Sequence, residues 1–180
     1  MQLRTVRQPE HETLISKFKT LNPAYQSLLD KFQSRRKEFS LLVARLKKQK
    51  NLQLDPKIHR LHQNAFAFID CLQCANCCRT LGPRILERDI QRLARYLKIK
   101  PSAFVNQYLR VDEDGDYVFQ SMPCPFLGPY NYCTVYDVRP RACAEYPHTH
   151  QTGQNKILSI TLKNAAICPA VAYILQNIET

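Results

Sequence analysis

Cys71-Leu-Gln-Cys74-Ala-Asn-Cys77-Cys78 is the stretch of sequence that decides the fold. Its two-residue gaps let the thiolates of Cys71, Cys74 and Cys77 curl around one ion, because successive ligands then lie on the same turn of chain. Cys77 and Cys78 are adjacent, so their side chains diverge in an ordinary backbone. The adjacent pair therefore predicts either two metal sites that share this stretch, or one site and one spare thiol.

Four further cysteines follow as single residues, separated in sequence by 9, 10 and 25 positions: Cys124, Cys133, Cys143 and Cys168. No second Cys-x-x-Cys knuckle occurs among them, which weakens a plain zinc-ribbon interpretation. The first and the last of the four directly precede a proline, as does the cysteine that completes a cluster in ferredoxins. The residues alone therefore leave Zn²⁺ and an iron-sulfur cluster of the 4Fe-4S type as alternative cofactors.

The cellular compartment decides how eight cysteines are interpreted. Residues 1–10 are polar and charged where a secretory signal is apolar, and no stretch approaches the ~18 apolar residues of a membrane span. We therefore expect a cytoplasmic protein without a membrane span. In the reducing cytosol, clustered thiols favour metal binding or redox chemistry over structural disulfides.

The cysteines and the charge divide the chain at the same place. Residues 1–70 contain no cysteine and carry 14 Lys and Arg against 6 Asp and Glu, a net charge of +8. The remaining 110 residues contain all eight cysteines and carry +3 of the chain's total of +11. We interpret residues 1–69 as a basic amphipathic helical extension and residues 70–180 as a cysteine-cluster metal-binding domain.

The extension has helical periodicity. A short helix is predicted over 9–20, and a second runs from Pro23 to about Lys50, where apolar residues recur at three- and four-residue steps. We predict a link over 51–56 and then a third helix that leads to the first cysteine. The opposite face of the second helix is basic, with Lys31, Arg35, Arg36, Lys37, Arg45, Lys47, Lys48 and Lys50.

The cysteine-rich part is predicted to be irregular with a few short elements. Helices are predicted over roughly Glu87–Leu97, over 102–109 and over 169–178, and a weak alternation predicts a strand over 157–162. Acidic residues between apolar flanks predict a β-hairpin over 111–119, and their spacing does not match a calcium-binding EF-hand loop. The predicted fold class is mainly α with a small β-hairpin, in which an N-terminal helical hairpin packs on an irregular cysteine-rich domain.

Several ordered blocks in the second part of the chain resemble a known family. They are Cys71 to Cys78, Cys124-Pro-Phe-Leu, Cys133-Thr-Val-Tyr136, Arg139-Pro140 with Cys143, Tyr146-Pro147 and Cys168-Pro169. Together they look like the YkgJ-type CxxCxxCC cysteine-cluster family, described as a zinc- or iron-chelating domain, and a similar domain occurs in flagellin lysine N-methylases. The resemblance covers about residues 70–178. It implies that the metal-binding signature comprises Cys71, Cys74, Cys77, Cys78, Cys124, Cys133, Cys143 and Cys168.

One position departs from the family pattern. Ala75-Asn76 stand where a glycine is expected before the paired cysteines. Asparagine tolerates left-handed backbone geometry better than most residues, so we expect Asn76 to take the strained turn. The double cysteine can then form in the usual way.

Thiolate-rich sites carry negative charge and need cations and hydrogen-bond donors nearby. The nearest cations in sequence and the tyrosines able to donate to sulfur are Arg79, Arg139, Arg141, Tyr136 and Tyr146. We take Arg79, Arg139 and Tyr136 as candidates to surround the cofactor. Two roles stay open for Arg139, which either orients the cluster or forms an ion pair with Asp137 or Glu145.

The histidines are weaker ligand candidates. His148 and His150 follow Cys143 closely, and one of them is an alternative to a cysteine as ligand. His59 and His62 lie three residues apart on a predicted helix with no thiol or acidic partner close in sequence. We predict that these two are surface residues.

Three classes of function remain. The four glycines are isolated, so the Gly-rich fingerprints of phosphate, dinucleotide or S-adenosylmethionine sites are missing, and no catalytic residue is identified. The first class is a metal-binding module without catalysis, with metal ions as its partners. The second is an iron-sulfur enzyme or electron-transfer protein that modifies a protein substrate, for example at lysine, docked on the basic helices. The third class is a nucleic-acid-binding protein. It is disfavoured because the aromatic residues within 1–70 recur at the spacing of core residues and are not interleaved with the basic residues, as a surface that stacks bases would require.

Overall fold

A computed structural model describes residues 21–178 of the chain. The helix predicted over 9–20 lies outside the described residues. The described part is mostly helical and contains one two-stranded antiparallel sheet. This architecture confirms the predicted fold class.

Three helices form the N-terminal part: α1 (Pro23–Ser34), α2 (Arg36–Leu46) and α3 (Asn51–Phe66). The single helix predicted from residue 23 to about 50 is wrong, because the chain bends at Arg35, where φ is −111° and ψ is 19°. Seven residues of a straight helix span about 10.5 Å. The bend instead brings the buried rings of Phe32 and Phe39 to 5.3 Å between centroids, where they stack.

The link predicted over 51–56 is in fact the first part of α3. Pro56 lies inside this helix, where proline costs about 3 kcal/mol through a lost hydrogen bond and a steric clash. Leu54 and Ile58 on either side are fully buried, and each such burial contributes about 1.5–3 kcal/mol. Tertiary packing thus maintains the helix through a residue that locally disfavours it.

The cysteine-rich part contains short elements joined by irregular chain. Two 3₁₀ turns, Pro129–Asn131 and Tyr136–Val138, lie between the hairpin and the later helices. The named elements are α4 (Cys71–Cys74), α5 (Asn76–Thr80), α6 (Glu87–Leu97), α7 (Pro101–Tyr108), β1 (Leu109–Val111), β2 (Tyr117–Phe119), α8 (Arg141–Glu145), α9 (Gln154–Asn164) and α10 (Pro169–Asn177). The helices predicted at α6, α7 and α10 are confirmed.

The predicted hairpin is also confirmed. Leu109 pairs with Phe119 and Val111 with Tyr117 in the antiparallel register of β1 and β2. Asp112 closes the turn, since its carboxylate accepts the backbone N–H of residue 114 at 3.1 Å and that of residue 116 at 2.9 Å. The acidic stretch therefore forms the turn of the hairpin, which the Asp112 carboxylate stabilises.

The strand predicted over 157–162 is wrong, because these residues belong to α9. The buried positions of α9 are Gln154, Leu158, Thr161 and Asn164, which follow one another at three- and four-residue steps. Three of the four are polar, so a count of apolar residues misses the helical period.

The buried side chains form two separate cores. The helical core combines α1, α2 and α3 with α9 and α10, and it includes the buried Cys74 and Cys168. The hairpin core combines α6, α7, β1 and β2 with Phe126 and Val135, and Cys124 and Cys133 pack against it. Cysteines thus lie at the edge of each core.

The basic face predicted on the N-terminal helices is exposed along α1 and α2. Some of its charges are engaged within the chain: Arg35 pairs with Glu38 at 2.8 Å, and the Nζ of Lys47 donates to the Oγ of Ser159 at 2.6 Å. Within residues 21–178, no helix combines the length and the apolar character needed to cross a bilayer.

Candidate metal centre

The cysteine motif is built from two short helical turns joined by a left-handed residue. The side chain of Asp70 caps α4 by accepting the N–H of Leu72 at 2.9 Å. Ala75, between α4 and α5, takes the left-handed conformation with φ 46° and ψ 18°. The expectation that Asn76 takes this turn is wrong, because Asn76 is the first residue of α5. Its side chain donates to the carbonyl of Ile167 at 2.7 Å. That bond ties the motif to the chain just before Cys168.

The start of the motif is also fixed to the first helix. The hydroxyl of Tyr25 donates to the carbonyl of Phe68 and accepts the N–H of Asp70, both at 3.1 Å. Tyr25 lies on the apolar stripe of α1 and gives no sequence signal beyond that of a core residue. Through this hydroxyl, the N-terminal helices position the cysteines.

We expect Ala75→Gly to raise the free energy of unfolding by about 1 kcal/mol, because glycine avoids the roughly 1–2 kcal/mol strain of an L-residue in left-handed geometry. Chemical denaturation of both proteins at equal metal content measures the change. Ala44→Gly is the matched control, since Ala44 is exposed in α2 and glycine there is expected to lower stability by about 1 kcal/mol. A loss of stability in both variants would contradict the strained assignment of Ala75.

Four cysteines, which we call the first set, border one small cavity: Cys71, Cys74, Cys77 and Cys168. They line a cavity of about 20 Å³ together with Tyr146. Cys71 is exposed as a whole residue, but burial of its thiol and the nearby charge of Cys74 raise its pKa to about 11. Burial raises the pKa of Cys168 to about 12, and the charges of Cys71 and Cys74 contribute to the shift. The four thiols are therefore close enough to interact electrostatically.

The other four thiols, which we call the second set, interact in the same way: Cys78, Cys124, Cys133 and Cys143. Burial raises the pKa of Cys143 to about 12, and the charges of all three other members add to the shift. Burial raises the pKa of Cys124 to about 11, and Cys78 and Cys133 contribute to it. The backbone N–H of Cys124 also donates to the carbonyl of Cys78 at 2.8 Å, which joins the two segments directly.

The adjacent cysteines lie where the two sets adjoin. Their sulfur atoms are 4.0 Å apart, and a hydrogen bond between them raises the pKa of Cys77 and lowers that of Cys78 to about 7. Cys77 interacts with Cys168 and Cys71, and Cys78 acts on every other member of the second set. Cys78 also acts on Cys71 and Cys74, so this residue adjoins both sets.

Backbone N–H groups point at several of the sulfurs. The N–H groups of residues 170 and 171, at the start of α10, lower the pKa of Cys168 against the effect of burial. Those of residues 126 and 127 act on Cys124, and that of residue 135 acts on Cys133. Such bonds stabilise the charged form of a thiol, which is the form that binds metal.

Within residues 21–178, no three His, Cys, Asp or Glu side chains are already grouped so that they could hold a metal ion. The thiols are therefore gathered into two neighbourhoods without being arranged around a common point. All eight are free cysteines.

Arg79 holds the motif in place. Its guanidinium donates to the carbonyl of Cys74 at 2.8 Å and to the Oδ1 of Asn131 at 2.5 Å. Asn131 is 1% exposed and donates in turn to the carbonyl of Gln73 at 2.7 Å. The positive charge of Arg79 also lowers the pKa of Cys74 and Cys78, in each case against the effect of burial. Sequence reasoning missed Asn131, which stands in an ordinary Pro-Tyr-Asn turn.

Arg139 lies between the two sets. It lowers the pKa of Cys71 and of Cys133, in both cases against the larger effect of burial. Its guanidinium stacks 4.0 Å above the ring of Tyr136 and donates to the carbonyl of that residue at 2.7 Å. Among the ion pairs of residues 21–178, Glu145 pairs with Arg141 at 2.6 Å and Arg139 has none. Arg139 therefore acts on one thiol of each set and forms none of the ion pairs considered from the sequence.

The histidines are engaged with one another and with the loop after α8. His62 is half-buried, and its Nδ1 lies 2.8 Å from the Oγ1 of Thr149, while His59 contacts the carbonyl of Gln151 at 2.8 Å. Burial, and then the charges of His150 and His59, lower the pKa of His62. His59 and His62, predicted to be surface residues, are both partly exposed and partly packed against this loop by α3.

The comparisons with known proteins agree with the class of protein that these thiols define, a domain that chelates zinc or iron. A family model described as "Putative zinc- or iron-chelating domain" matches residues 70–169. The chain belongs to this CxxCxxCC family, as the sequence blocks predict, and the family description assigns metal binding to it.

A relative of similar sequence is the uncharacterized protein MJ0661 of Methanocaldococcus jannaschii. The two are 28% identical over 121 residues, which cover 66% of this chain and 62% of the relative. The chain thus matches less than two thirds of that protein's length. No solved structure matches the chain.

Proposed function

We propose that the chain binds two metal ions, one in each set of four cysteines, and that these ions hold together the cysteine-rich part between the two cores. The observation behind this proposal is electrostatic: Cys143 is surrounded by Cys78, Cys124 and Cys133, and Cys168 by Cys71 and Cys74. Four thiolates complete the tetrahedral shell of a structural zinc ion and leave no position open for a substrate. The proposed role is accordingly structural, without a catalytic step.

We propose zinc, and not an iron-sulfur cluster, as the ion of the first set. The cavity of about 20 Å³ among its thiols is close to the volume that a single water-sized particle needs, roughly 10–15 Å³. A single ion drawn in by four thiolates needs no wider opening than this. For the second set, the same four-thiol chemistry supports the same ion.

Nearby groups balance the charge that zinc and its ligands leave behind. Four thiolates around one Zn²⁺ carry −2, so two sites would bring the formal net charge of the chain from +11 to about +7. Arg79 adjoins Cys74 and Cys78, and Arg139 adjoins Cys71 and Cys133. These two guanidinium groups act on both sets, and backbone N–H groups donate to the sulfurs.

The proposal places the boundary between the two parts of the chain at residue 70. On this proposal residues 1–69 are the N-terminal extension and residues 70–180 are the chelating domain, whose family match begins at residue 70. Eight free thiols suit a reducing compartment, and on this ground we place the protein in the cytoplasm.

Metal analysis of protein purified without oxygen tests the proposal. We expect a colourless protein with two zinc ions per chain, because zinc has a filled d shell and no redox chemistry. A brown protein with broad visible absorption and with iron and sulfide in equal amounts would instead assign an iron-sulfur cluster. Protein that takes up no metal under anaerobic conditions would overturn the proposal altogether.

A further inference from the structure

Tyr146 has a buried hydroxyl that none of the described residues satisfies. Its ring packs against the helical core, which fixes where the hydroxyl lies, and the hydroxyl oxygen has no hydrogen-bond partner within residues 21–178. Leaving such a group unpaired costs about 1–3 kcal/mol. An unpaired buried hydroxyl of this kind calls for a hydrogen-bond partner.

Tyr146 lies beside the first set. Tyr146 lines the same cavity as Cys71, Cys74, Cys77 and Cys168, and each of these four thiols acts electrostatically on it. The phenol of a tyrosine carries its proton at neutral pH, because its ordinary pKa is about 10. A protonated phenol next to thiolates is a hydrogen-bond donor with a nearby acceptor.

We propose that Tyr146 donates its O–H to a thiolate of the first set when that set holds a metal ion. This inference rests on the proposed function, and it makes Tyr146 a positioning residue for one set only. The hydrogen bond withdraws electron density from the sulfur and stabilises the negative charge of the buried site. The hydroxyl thereby gains a hydrogen-bond acceptor, and the negative charge of the thiolates gains a donor that stabilises it.

Among the described residues, the tyrosine linked to the second set is Tyr136, and the link runs through Arg139. Arg139 acts on Cys133 of this set and on Cys71 of the first set, and Tyr136 contributes its ring face and its carbonyl to that arginine. The two sets therefore differ in the groups around them although their ligands are the same. This difference gives each set its own metal affinity and its own spectroscopic signature.

Cadmium-113 NMR of the protein loaded with ¹¹³Cd²⁺ tests the inference, because the chemical shift of the ion reports the electron density on its sulfur ligands. We expect two resonances in the native protein, and the resonance that persists in Cys124→Ser belongs to the first set. In Tyr146→Phe this resonance should shift while the other stays. The Cd²⁺ affinity of the first set should fall about 10-fold. This is the lower end of the loss in metal affinity that follows when a hydrogen-bond partner of a metal ligand is removed.

Tyr132→Phe is the matched control, because this tyrosine is 60% exposed and its loss should move neither resonance. Unchanged resonances and affinities in Tyr146→Phe would overturn the inference and leave the proposed function intact. Lack of any thiolate-bound ¹¹³Cd resonance in the native protein would instead overturn the proposed function.

The native protein provides a second measurement that needs no substitution. A donated O–H is shielded from solvent, so its proton should exchange slowly and show scalar coupling to the ¹¹³Cd of the first set. A Tyr146 hydroxyl proton that exchanges freely with water and shows no such coupling would reject the hydrogen bond, even if Tyr146→Phe failed to fold.

Discussion

Cys74→Ser is expected to lose one of the two metal ions and to melt about 10 °C below the native protein. A serine hydroxyl does not replace a thiolate toward zinc, so the first set loses its ion and with it the free energy of binding. At a metal concentration near 1,000 times the dissociation constant, that free energy is about 4 kcal/mol. In a chain of this length each kcal/mol moves the midpoint by about 2–4 °C. Metal analysis and thermal unfolding measure the two effects.

Cys124→Ser is expected to lose the other ion, because Cys124 belongs to the second set. Each variant should keep one ion, and the double variant should keep none. Ala166→Ser is the control, since Ala166 is exposed close to Cys168 and should retain both ions. A variant that kept two ions at an unchanged midpoint would show that its cysteine is no ligand, and loss of both ions from either single variant would show one shared cluster.

Removal of the metal with a chelator under anaerobic conditions should loosen one region far more than the rest. We expect amides over 120–140 to lose most of their protection from hydrogen exchange, because their regular structure is limited to two 3₁₀ turns and the bridge between Leu127 and Cys133. The helical core has its own buried contacts, so α1, α3 and α10 should stay protected. Hydrogen exchange followed by mass spectrometry resolves the two regions.

Added zinc should restore the lost protection in the same sample. Equal loss of protection across α1, α3 and α10 would contradict the expectation, since it would mean that the helical core also depends on the metal. A chelator-treated protein that exchanges like the native one would mean that the ions do not support the irregular region.

The sequence predicts those parts of the fold that depend on local chemistry. The bounds of α6 follow from its strong apolar stripe, and the hairpin follows from a turn that Asp112 closes. The bend at Arg35 and the helix through Pro56 depend instead on burial against other helices, which a single sequence does not show. Polar buried residues such as Gln154 and Thr161 conceal the helical period of α9.

The sequence likewise predicts one part of the candidate site, and tertiary packing determines the rest. The spacing of the cysteines reveals a metal-binding motif. It also shows that the adjacent side chains of Cys77 and Cys78 diverge and therefore suit different sites. The assignment of Cys168 to the first set depends on α9 and α10, which bring it back to the motif from about 90 residues away along the chain. Tyr25 and Asn131 each place the motif through two hydrogen bonds, and neither residue stands out in the sequence.

The shared peptide bond of Cys77 and Cys78 has a consequence for how the two sites fill. An ion in the first set immobilises the backbone of Cys77 and, with it, the φ and ψ angles that aim Cys78 at its neighbours. Fixing the backbone of one residue costs about 1–2 kcal/mol of conformational free energy. Binding of the first ion already includes this cost, so binding of the second ion does not. Uptake of the two ions should thus be cooperative, with the first ion tightening the second by about 10-fold.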